Sequence, residues 1–379
     1  KAVKAVKAVK AVKPANPFAL SASRVFTSGA GLAGIAHAYN RLAGSVLASM
    51  ILMIGPAAAE TSDNLPALKR AYTRPADVPF PESNPKTAAK IALGKTLFFD
   101  PRLSGTNKTS CATCHIPALG WEDGQRLTES TSGGSLKRHT PTLWNLAWGR
   151  TFFWDGRVRS LEAQAIMPIR NDTEMNQSVP ALLAELRAIE SYRDRFRQAF
   201  PDSPHITESS LTRAIATYER TLVQPPTPFD AWVNGDADAI GAAAKRGFRL
   251  FNGKARCATC HSGWNFTAGA FHDIGLPDNT GDKGRGPVLG IDAANHAFKT
   301  PTLRDIARRA PYMHDGSLPN LQAVIAHYEG DFVRRESLSA DMQAIDLTVR
   351  EEADLIAFLH TLTTPAEERN IEPPEIPSP

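Results

Sequence analysis

Two copies of the pentapeptide CATCH, at residues 111–115 and 257–261, hold the residues best suited to cofactor chemistry. Cysteines three positions apart on a helical turn face the same side, so each pair can form thioethers with the vinyl groups of one porphyrin. The adjacent histidine then lies under the iron, as in c-type haem attachment. Paired CxxC elements also build zinc sites, which leaves a zinc-binding module as the alternative. The predicted attachment residues are Cys111, Cys114, Cys257 and Cys260, and the predicted iron ligands are His115 and His261.

The elements that must position these motifs also occur twice. Residues 93–115 read LGKTLFFDPRLSGTNKTSCATCH and residues 245–261 read KRGFRLFNGKARCATCH, which indicates duplication of one helix–turn unit. Prolines within residues 221–230 mark the boundary between the two halves. Apolar residues at three- and four-residue steps over 182–200 predict core helices, and Thr348 with Glu351 predicts a capping box. The pattern predicts a mainly α chain with long loops between helices and no disulfide.

The first 59 residues differ from the rest in composition. Residues 1–13 are a Lys-Ala-Val repeat, and after Arg41 an uncharged run ends in three alanines, as in secretory signals. We expect cleavage after Ala59 and export to the periplasm, with an uncleaved membrane anchor as the alternative. The leader contains seven basic residues and no acidic one, so its removal turns the formal charge of +4 into −3. No nucleic-acid or membrane partner is therefore needed to explain the basic composition.

Beyond the two motifs, the order of several segments is similar to that of a known family. LGKTLFFDPRLS, RHTPTLWN, FFWDGRVRSLEAQ, FHDIGLP and FKTPTLRDIARRAPYMHDGSL resemble the bacterial di-haem cytochrome c peroxidase and MauG superfamily over nearly all of residues 80–362. The resemblance implies two cytochrome c-like domains, each with one covalently bound c-type haem. Residues 60–226 would hold the peroxide-binding haem and residues 227–364 the electron-transfer haem, followed by a Pro-rich tail over 365–379.

The resemblance also implies roles for three single side chains. Trp154, in FFWDGR, stands where the family has a tryptophan between the two haems, and it would couple them electronically. Gln164 and Glu174 match the pair beside the bound peroxide, where Glu174 would move a proton between the two oxygens and Gln164 would orient the molecule. Without the family motifs, Trp154 is typical of a protein core and the other two of a solvated helix face.

The first departure from the family pattern concerns the Gly-rich loop before RHTPT. Many members carry there a histidine that caps the peroxide haem, whereas this chain has Thr131 near that position. We therefore expect a first haem that is open without reductive activation. His139 stands where the family more often has an asparagine of an inter-domain calcium site. A calcium ion, if bound, would rest on carbonyls around Arg309 and Pro311.

The second departure concerns the axial ligand of the C-terminal haem. Classical peroxidases supply a methionine, whereas LQAVIAHYEG places Tyr328 at that position, the ligand type of MauG-like members. A phenolate favours oxidised iron, so this haem would store oxidising equivalents. The alternative is that His327 or Met342 binds the iron and Tyr328 is a buried aromatic. His314 is expected to support this haem by hydrogen bonding.

These features predict a periplasmic di-haem enzyme with hydrogen peroxide as the oxidant. Its electrons would come from a small cytochrome c or cupredoxin, as in a detoxifying peroxidase, or from residues of a partner protein, as in a MauG-type enzyme. A non-enzymatic di-haem electron-transfer cytochrome is the alternative from another class. The mature chain is expected to have no membrane span, and a homodimer is compatible with the sequence.

Overall fold

A computed structural model describes residues 64–365 and 371–378; the predicted leader and signal peptide lie outside the described residues. Two-residue strands β1 (Phe271–His272) and β2 (Phe298–Lys299) pair antiparallel, and the remaining regular structure is helical. The helices are α1 (Leu65–Arg70), α2 (Ala88–Phe99), α3 (Cys111–Cys114), α4 (Leu161–Arg170), α5 (Val179–Ala188), α6 (Glu190–Ala199), α7 (Glu208–Glu219), α8 (Pro228–Val233), α9 (Ala242–Asn252), α10 (Gly286–Leu289), α11 (Leu321–Glu329) and α12 (Val349–His360). The predicted mainly α fold is confirmed.

In the first half of the described chain, up to residue 226, the central contact is a crossing of α2 and α7. A Cβ on Gly94 of α2 would lie 2.0 Å from the carbonyl oxygen of Ala214. Only glycine permits this approach, because any side chain would force the two helix backbones apart. The Thr87 hydroxyl caps the start of α2 by accepting a hydrogen bond from the Lys90 N–H (3.2 Å). The crossing holds α2 in place just before the first CATCH motif.

The second half, from residue 227, repeats this crossing with α9 and α12. A Cβ on Gly247 of α9 would lie 2.0 Å from the carbonyl oxygen of Asp354 and 2.8 Å from the Cβ of Phe358. The predicted capping box begins α12: the Glu351 N–H donates to the Thr348 hydroxyl (3.3 Å), and the Glu351 carboxylate accepts from the Thr348 N–H (2.8 Å). The duplication inferred from the sequence is therefore present in the helix packing.

Each half has its own hydrophobic core. The first core is mostly aliphatic and is built from α2 and α4 to α7. The apolar stripe over residues 182–200 is buried in it but is divided between α5 and α6, because Ile189 has an extended backbone (φ −85°, ψ 116°). The second core contains an aromatic cluster with ring centroids 5.0–6.0 Å apart, formed by Phe229, Phe248, Phe266 and Phe358 of the second half together with Tyr72 from the start of the described chain.

Two loops of the same shape meet where the halves join. Residues 152–156 (FFWDG) and 312–316 (YMHDG) are each closed by an isolated β-bridge and each end in a glycine, with φ values of 66° and 60°. Trp154 and His314 occupy the equivalent position in the two loops, and their ring centroids lie 6.5 Å apart. The duplicated chain thus brings one side chain from each half to a common seam.

The C-terminal tail returns to the first half. Ile371 packs against the cluster that contains Phe98, Trp121 and Trp144. The carbonyl of Pro377 accepts a hydrogen bond from Arg102. The tail is therefore a surface strap over residues 371–378. The described residues form one compact unit, and the domain boundaries at residues 226 and 364 stay predictions. Over the described parts of the chain, no helix has the length and apolar character that a membrane crossing requires.

Candidate functional site

The first CATCH motif forms the short helix α3 and the turn after it. The Ser110 N–H donates to the Thr113 hydroxyl (3.0 Å) and so fixes the start of the helix. Nδ1 of His115 lies 2.9 Å from the carbonyl oxygen of Trp121, whose φ is 64°. A carbonyl can only accept, so Nδ1 carries the proton and Nε2 keeps its lone pair for a metal.

The second motif presents its histidine in the same way. Its first cysteine begins a single tight turn, Cys257–Thr259, instead of an α-helix, and Cys260 follows that turn directly. Nδ1 of His261 lies 2.9 Å from the carbonyl oxygen of Phe266, whose φ is 50°. Burial lowers the pKa of His261 to about 4, so its imidazole is neutral, as metal ligation requires.

The residues around the motifs fit a covalently attached haem. Cys111, Cys114, Cys257 and Cys260 form no disulfide with one another, which leaves each sulfur available for a thioether bond. A cavity of roughly 1430 Å³ adjoins Cys111, Cys114 and His115 and extends to Trp264 of the second half. This volume exceeds the roughly 300–1,000 Å³ of ordinary small-molecule pockets. The side chains of Cys111, Cys114 and His115 are therefore beside a space that can hold a porphyrin.

Gln164 and Glu174 both line this cavity. Gln164 lies on α4, and its buried Oε1 has no hydrogen-bond partner within the described residues. A buried acceptor of this kind is costly unless a ligand supplies a donor. Glu174 lies in the turn after α4, where its N–H donates to the Asn171 carbonyl (3.1 Å). Burial raises the pKa of Glu174 above its ordinary value, although the charge of Arg157 opposes the shift.

Trp154 also lines the cavity, at the seam between the halves. Its indole N–H donates to the carbonyl oxygen of His139 (2.8 Å), and its own carbonyl accepts from the Lys299 N–H (2.7 Å). The ring of His314, which was expected to hydrogen-bond near the second haem, stacks on Phe298 with centroids 3.5 Å apart. The structure thus places Trp154 between the two halves, with contacts to each.

Tyr328 lies on α11, close to the second motif. Burial and the nearby thiols of Cys257 and Cys260 raise the pKa of its hydroxyl. Nε2 of the neighbouring His327 lies 2.8 Å from the carbonyl oxygen of Ile274, so this nitrogen is engaged by the main chain. The structure brings Tyr328 to the second motif, and its role as an axial ligand stays a prediction.

The Gly-rich loop, residues 128–136, lies over the turn that carries Glu174. The Thr131 N–H and the Ser130 hydroxyl both donate to the carbonyl oxygen of Thr173 (3.2 and 2.9 Å). The sequence of the loop contains no histidine. The loop is therefore held against the cavity by hydrogen bonds to the Thr173 carbonyl, and it brings no imidazole to the first motif.

His139 takes part in a buried ion cluster with Glu122 and Arg309, where the sequence raised the question of calcium. Its Nε2 lies 3.1 Å from one carboxylate oxygen of Glu122, and Arg309 donates from Nε to the other (2.7 Å). Among residues 64–365 and 371–378, no group of three or more His, Cys, Asp or Glu side chains is placed to hold a metal ion. Calcium held by carbonyls around Arg309 and Pro311 stays a prediction.

Sequence reasoning missed a further acid on the cavity wall, Glu219 at the end of α7. Glu219 is 4% exposed, and its Oε2 has no hydrogen-bond partner in the described chain. Burial raises the pKa of its carboxyl to about 8. A signal was present, because position 219 shares a helix face with Ile215 and Leu222, where a charged residue is unusual.

Lys299 is a second functional candidate that sequence reasoning missed, and no sequence signal marked it. Its Nζ donates to the carbonyl oxygen of Thr151 (3.0 Å), across the seam and close to Trp154. Burial lowers the pKa of Lys299 to about 8. This lysine and Glu219 are thus two titratable groups on the wall of the same cavity.

Comparisons with known proteins add independent information. Family models match the chain as di-haem cytochrome c peroxidase over residues 88–238 and as cytochrome c over residues 244–363. Methylamine utilization protein MauG of Methylorubrum extorquens is 50% identical over 85% of this chain and 92% of its own. The protein of that name from Methylophilus methylotrophus is 48% identical over 79% of this chain and 90% of its own. A crystal structure of a MauG-like protein associated with microbial copper homeostasis is 31% identical, covers 77% of this chain and 95% of its own, and has a TM-score of 0.71.

These matches decide between the two cofactors that the CATCH motifs allow. Both halves match haem proteins, so the chain is a protein with two c-type haems and the zinc alternative is wrong. Attachment of one haem at each CATCH motif stays a prediction. The histidines, whose Nδ1 atoms donate to main-chain carbonyls, and the cavity at the first motif are consistent with this cofactor. The peroxidases and MauG proteins among the relatives are oxidoreductases, and this chain belongs to their family, the di-haem cytochrome c peroxidases.

Proposed function

We propose that the chain is a periplasmic, peroxide-dependent di-haem enzyme of the MauG type that withdraws electrons from a partner protein. The observation that carries the proposal is the cavity at the first motif, lined by Gln164 and Glu174 and adjoined by a loop without a histidine. Such a site is suited to bind a small oxidant at a haem with a vacant position. In this proposal residues 60–226 hold the peroxide haem and residues 227–364 the electron-transfer haem.

Gln164 and Glu174 have separate roles in the reaction with peroxide. A bound haem supplies the iron at which hydrogen peroxide is cleaved. The carboxyl of Glu174 has a raised pKa, so it is a stronger base than an ordinary carboxylate and can take up and return a proton. The unpaired Oε1 of Gln164 accepts a hydrogen bond from an O–H of the peroxide and so orients it.

The contacts of His139 support an open first haem. Both nitrogens of its imidazole face protein oxygens, the carbonyl of Gln125 (2.7 Å) and the carboxylate of Glu122 (3.1 Å). This histidine, the nearest in sequence to the expected capping position, is therefore not available as a cap. Peroxide then reaches the first haem without a prior reduction step.

Two aromatic residues are suited to pass oxidising equivalents from the first haem to the second and to keep them there. Trp154 lies at the seam with main-chain contacts to both halves, which suits a bridge for electron exchange. Tyr328 lies near Cys257 and Cys260, and as a phenolate ligand it would favour oxidised iron. The engagement of His327 Nε2 by the Ile274 carbonyl favours Tyr328 over its neighbour as the ligand.

The leader supports a periplasmic location, and the relatives support a protein as the electron donor. The uncharged run that ends at Ala59 has the features of a cleaved secretory signal, which leads to the periplasm. Two relatives that share about half of their residues with this chain are named for methylamine utilization. We infer that the electron donor is a protein of such a pathway, oxidised on its own side chains. A small cytochrome c or cupredoxin is the donor if the enzyme is a detoxifying peroxidase.

The decisive experiment mixes the diferric holoprotein with hydrogen peroxide in a stopped-flow instrument, without reductant. An immediate change in both haem spectra supports the proposal, and a high-spin ferric signal in electron paramagnetic resonance should accompany it. A requirement for prior reduction would restore the classical peroxidase. Two low-spin signals and no reaction would identify an electron-transfer cytochrome. Rapid steady-state oxidation of a reduced small cytochrome c would favour detoxification over protein oxidation.

A further inference from the structure

The imidazole of His139 is a buried cation. Nδ1 lies 2.7 Å from the carbonyl oxygen of Gln125, and Nε2 lies 3.1 Å from a carboxylate oxygen of Glu122. Both partners are acceptors, so both ring nitrogens must donate, and only the imidazolium form has two N–H groups. Burial disfavours this charge, but the hydrogen bond and the charge of Glu122 outweigh burial and raise the pKa of His139.

The anion that holds this cation also joins the two halves. Glu122 accepts from His139 with one carboxylate oxygen and from Arg309 with the other. Arg309 belongs to the second half and is fixed there by hydrogen bonds to the carbonyls of Thr302 (2.8 Å) and Arg304 (2.9 Å). The three charged side chains are at most 5% exposed. Removal of one member therefore leaves the others with an uncompensated buried charge.

The main chain of His139 is held as firmly as its ring. Its N–H donates to the carbonyl oxygen of His314 (2.8 Å), and its own carbonyl accepts the indole N–H of Trp154 (2.8 Å). The side chain, the amide and the carbonyl of one residue thus contact the first half, the second half and the bridging tryptophan. On the other side, the backbone of Trp154 is fixed by Lys299 (2.7 Å).

We propose that His139 is a positioning residue for Trp154, and that the ion cluster of Glu122, His139 and Arg309 holds the indole in the orientation in which it exchanges electrons between the halves. The imidazolium acts through its own carbonyl, which sets the direction of the indole N–H. The cluster also places fixed charge beside the ring, which affects how easily the indole is oxidised. This inference rests on the proposed function, because it assumes that oxidising equivalents pass from the first haem to the second.

The test compares His139→Gln with His205→Gln, an exposed histidine in the turn before α7. After mixing with peroxide, the first haem should respond in the His139→Gln variant within about twofold of the wild-type rate. The response of the second haem should lag behind it by about tenfold or more, since a displacement of about 1 Å is enough for such a loss. The His205→Gln variant should behave as the wild type. If a His139→Gln variant with two haems shows no lag, the proposal is wrong.

Two further measurements keep the result interpretable. Glu122→Gln leaves one acceptor oxygen for the two donors His139 and Arg309, so the response of its second haem should also lag behind that of the first. If neither His139→Gln nor Glu122→Gln assembles with two haems, the cluster serves folding alone and the proposal is wrong. Electron exchange in the half-reduced protein, started by photodissociation of carbon monoxide, measures the coupling without peroxide. A slow exchange in His139→Gln together with an unreactive wild type would uphold the positioning role and reject the proposed function.

Discussion

Replacement of Glu219 by glutamine should change how the stability of the holoprotein depends on pH. Glu219 is buried on the cavity wall with one unpaired carboxyl oxygen. The guanidinium of Arg220 opposes the rise in its pKa, but that group is already bound to the carboxylate of Glu162 at 2.7 and 3.0 Å. An attached haem would further cover the wall and keep water away from the carboxyl. The carboxyl of Glu219 is therefore protonated at neutral pH.

The magnitude follows from the two pKa values of the residue. In the unfolded chain the carboxyl of Glu219 loses its proton near the ordinary value of 4.5, whereas the folded protein retains it up to about 8. The native state binds one proton more over this window, so its stability falls by roughly 1.4 kcal/mol for each pH unit. The accumulated loss is of the order of 4 kcal/mol at the upper end of the window. Glutamine has the same size and does not titrate.

The assay is urea unfolding of the wild type and Glu219→Gln, each with both haems attached, at pH values from 5 to 8. The free energy of unfolding of the variant should increase relative to that of the wild type as the pH rises, by roughly 1.4 kcal/mol for each pH unit. Glu82→Gln, at an exposed loop position, is the matched control and should follow the wild type. Parallel curves for the wild type and Glu219→Gln would show that the carboxyl is ionised in the folded protein and would refute the reasoning.

Three other substitutions test separate parts of the structure. Glu174→Gln should slow the reaction of the diferric protein with peroxide by about 10²-fold or more at unchanged haem content. The wild-type rate should fall on acidification at a pH above the ordinary carboxyl pKa, because the raised pKa keeps Glu174 protonated there. An unchanged rate in Glu174→Gln would exclude Glu174 as the base. Tyr328→Phe should alter the absorption spectrum of one haem and raise its reduction potential in a potentiometric titration, whereas an unaltered spectrum would exclude the phenol as a ligand. Gly247→Ala should destabilise the protein by about 1–3 kcal/mol or more in urea unfolding, because the new Cβ would meet the Asp354 carbonyl. Gly241 has open space around it, so Gly241→Ala should have little effect. Equal effects of the two substitutions would contradict the packing argument.

The sequence predicted those features that depend on local signals. The spacing within each CATCH motif predicted the haem cofactor, and the helix start at Thr348 followed from its distance to Glu351. Repetition of the helix–turn unit was visible as well, and it reappears as the matched glycine crossings at Gly94 and Gly247. Such signals need only residues that lie within a few turns of each other along the chain.

The ion cluster and the clamp on Trp154 could not be predicted in this way. Glu122 and Arg309 are 187 positions apart in the sequence, and the contact of Lys299 with Thr151 spans 148 positions. Charge and periodicity within one segment do not reveal which distant segment will face it. His139 looked like a simple replacement for an asparagine, and only its two acceptors in the fold identify it as a cation.

The paired loops at the seam have a consequence for how a protein of this kind can change. Because residues 152–156 and 312–316 share one backbone shape, either loop can exchange a side chain while the frame of the molecule stays the same. Trp154 and His314 are the side chains at the equivalent position of the two loops, where such an exchange would occur. In the proposed function, the direction of electron flow then depends on a few side chains at the seam, and its reversal would require new side chains but no new fold.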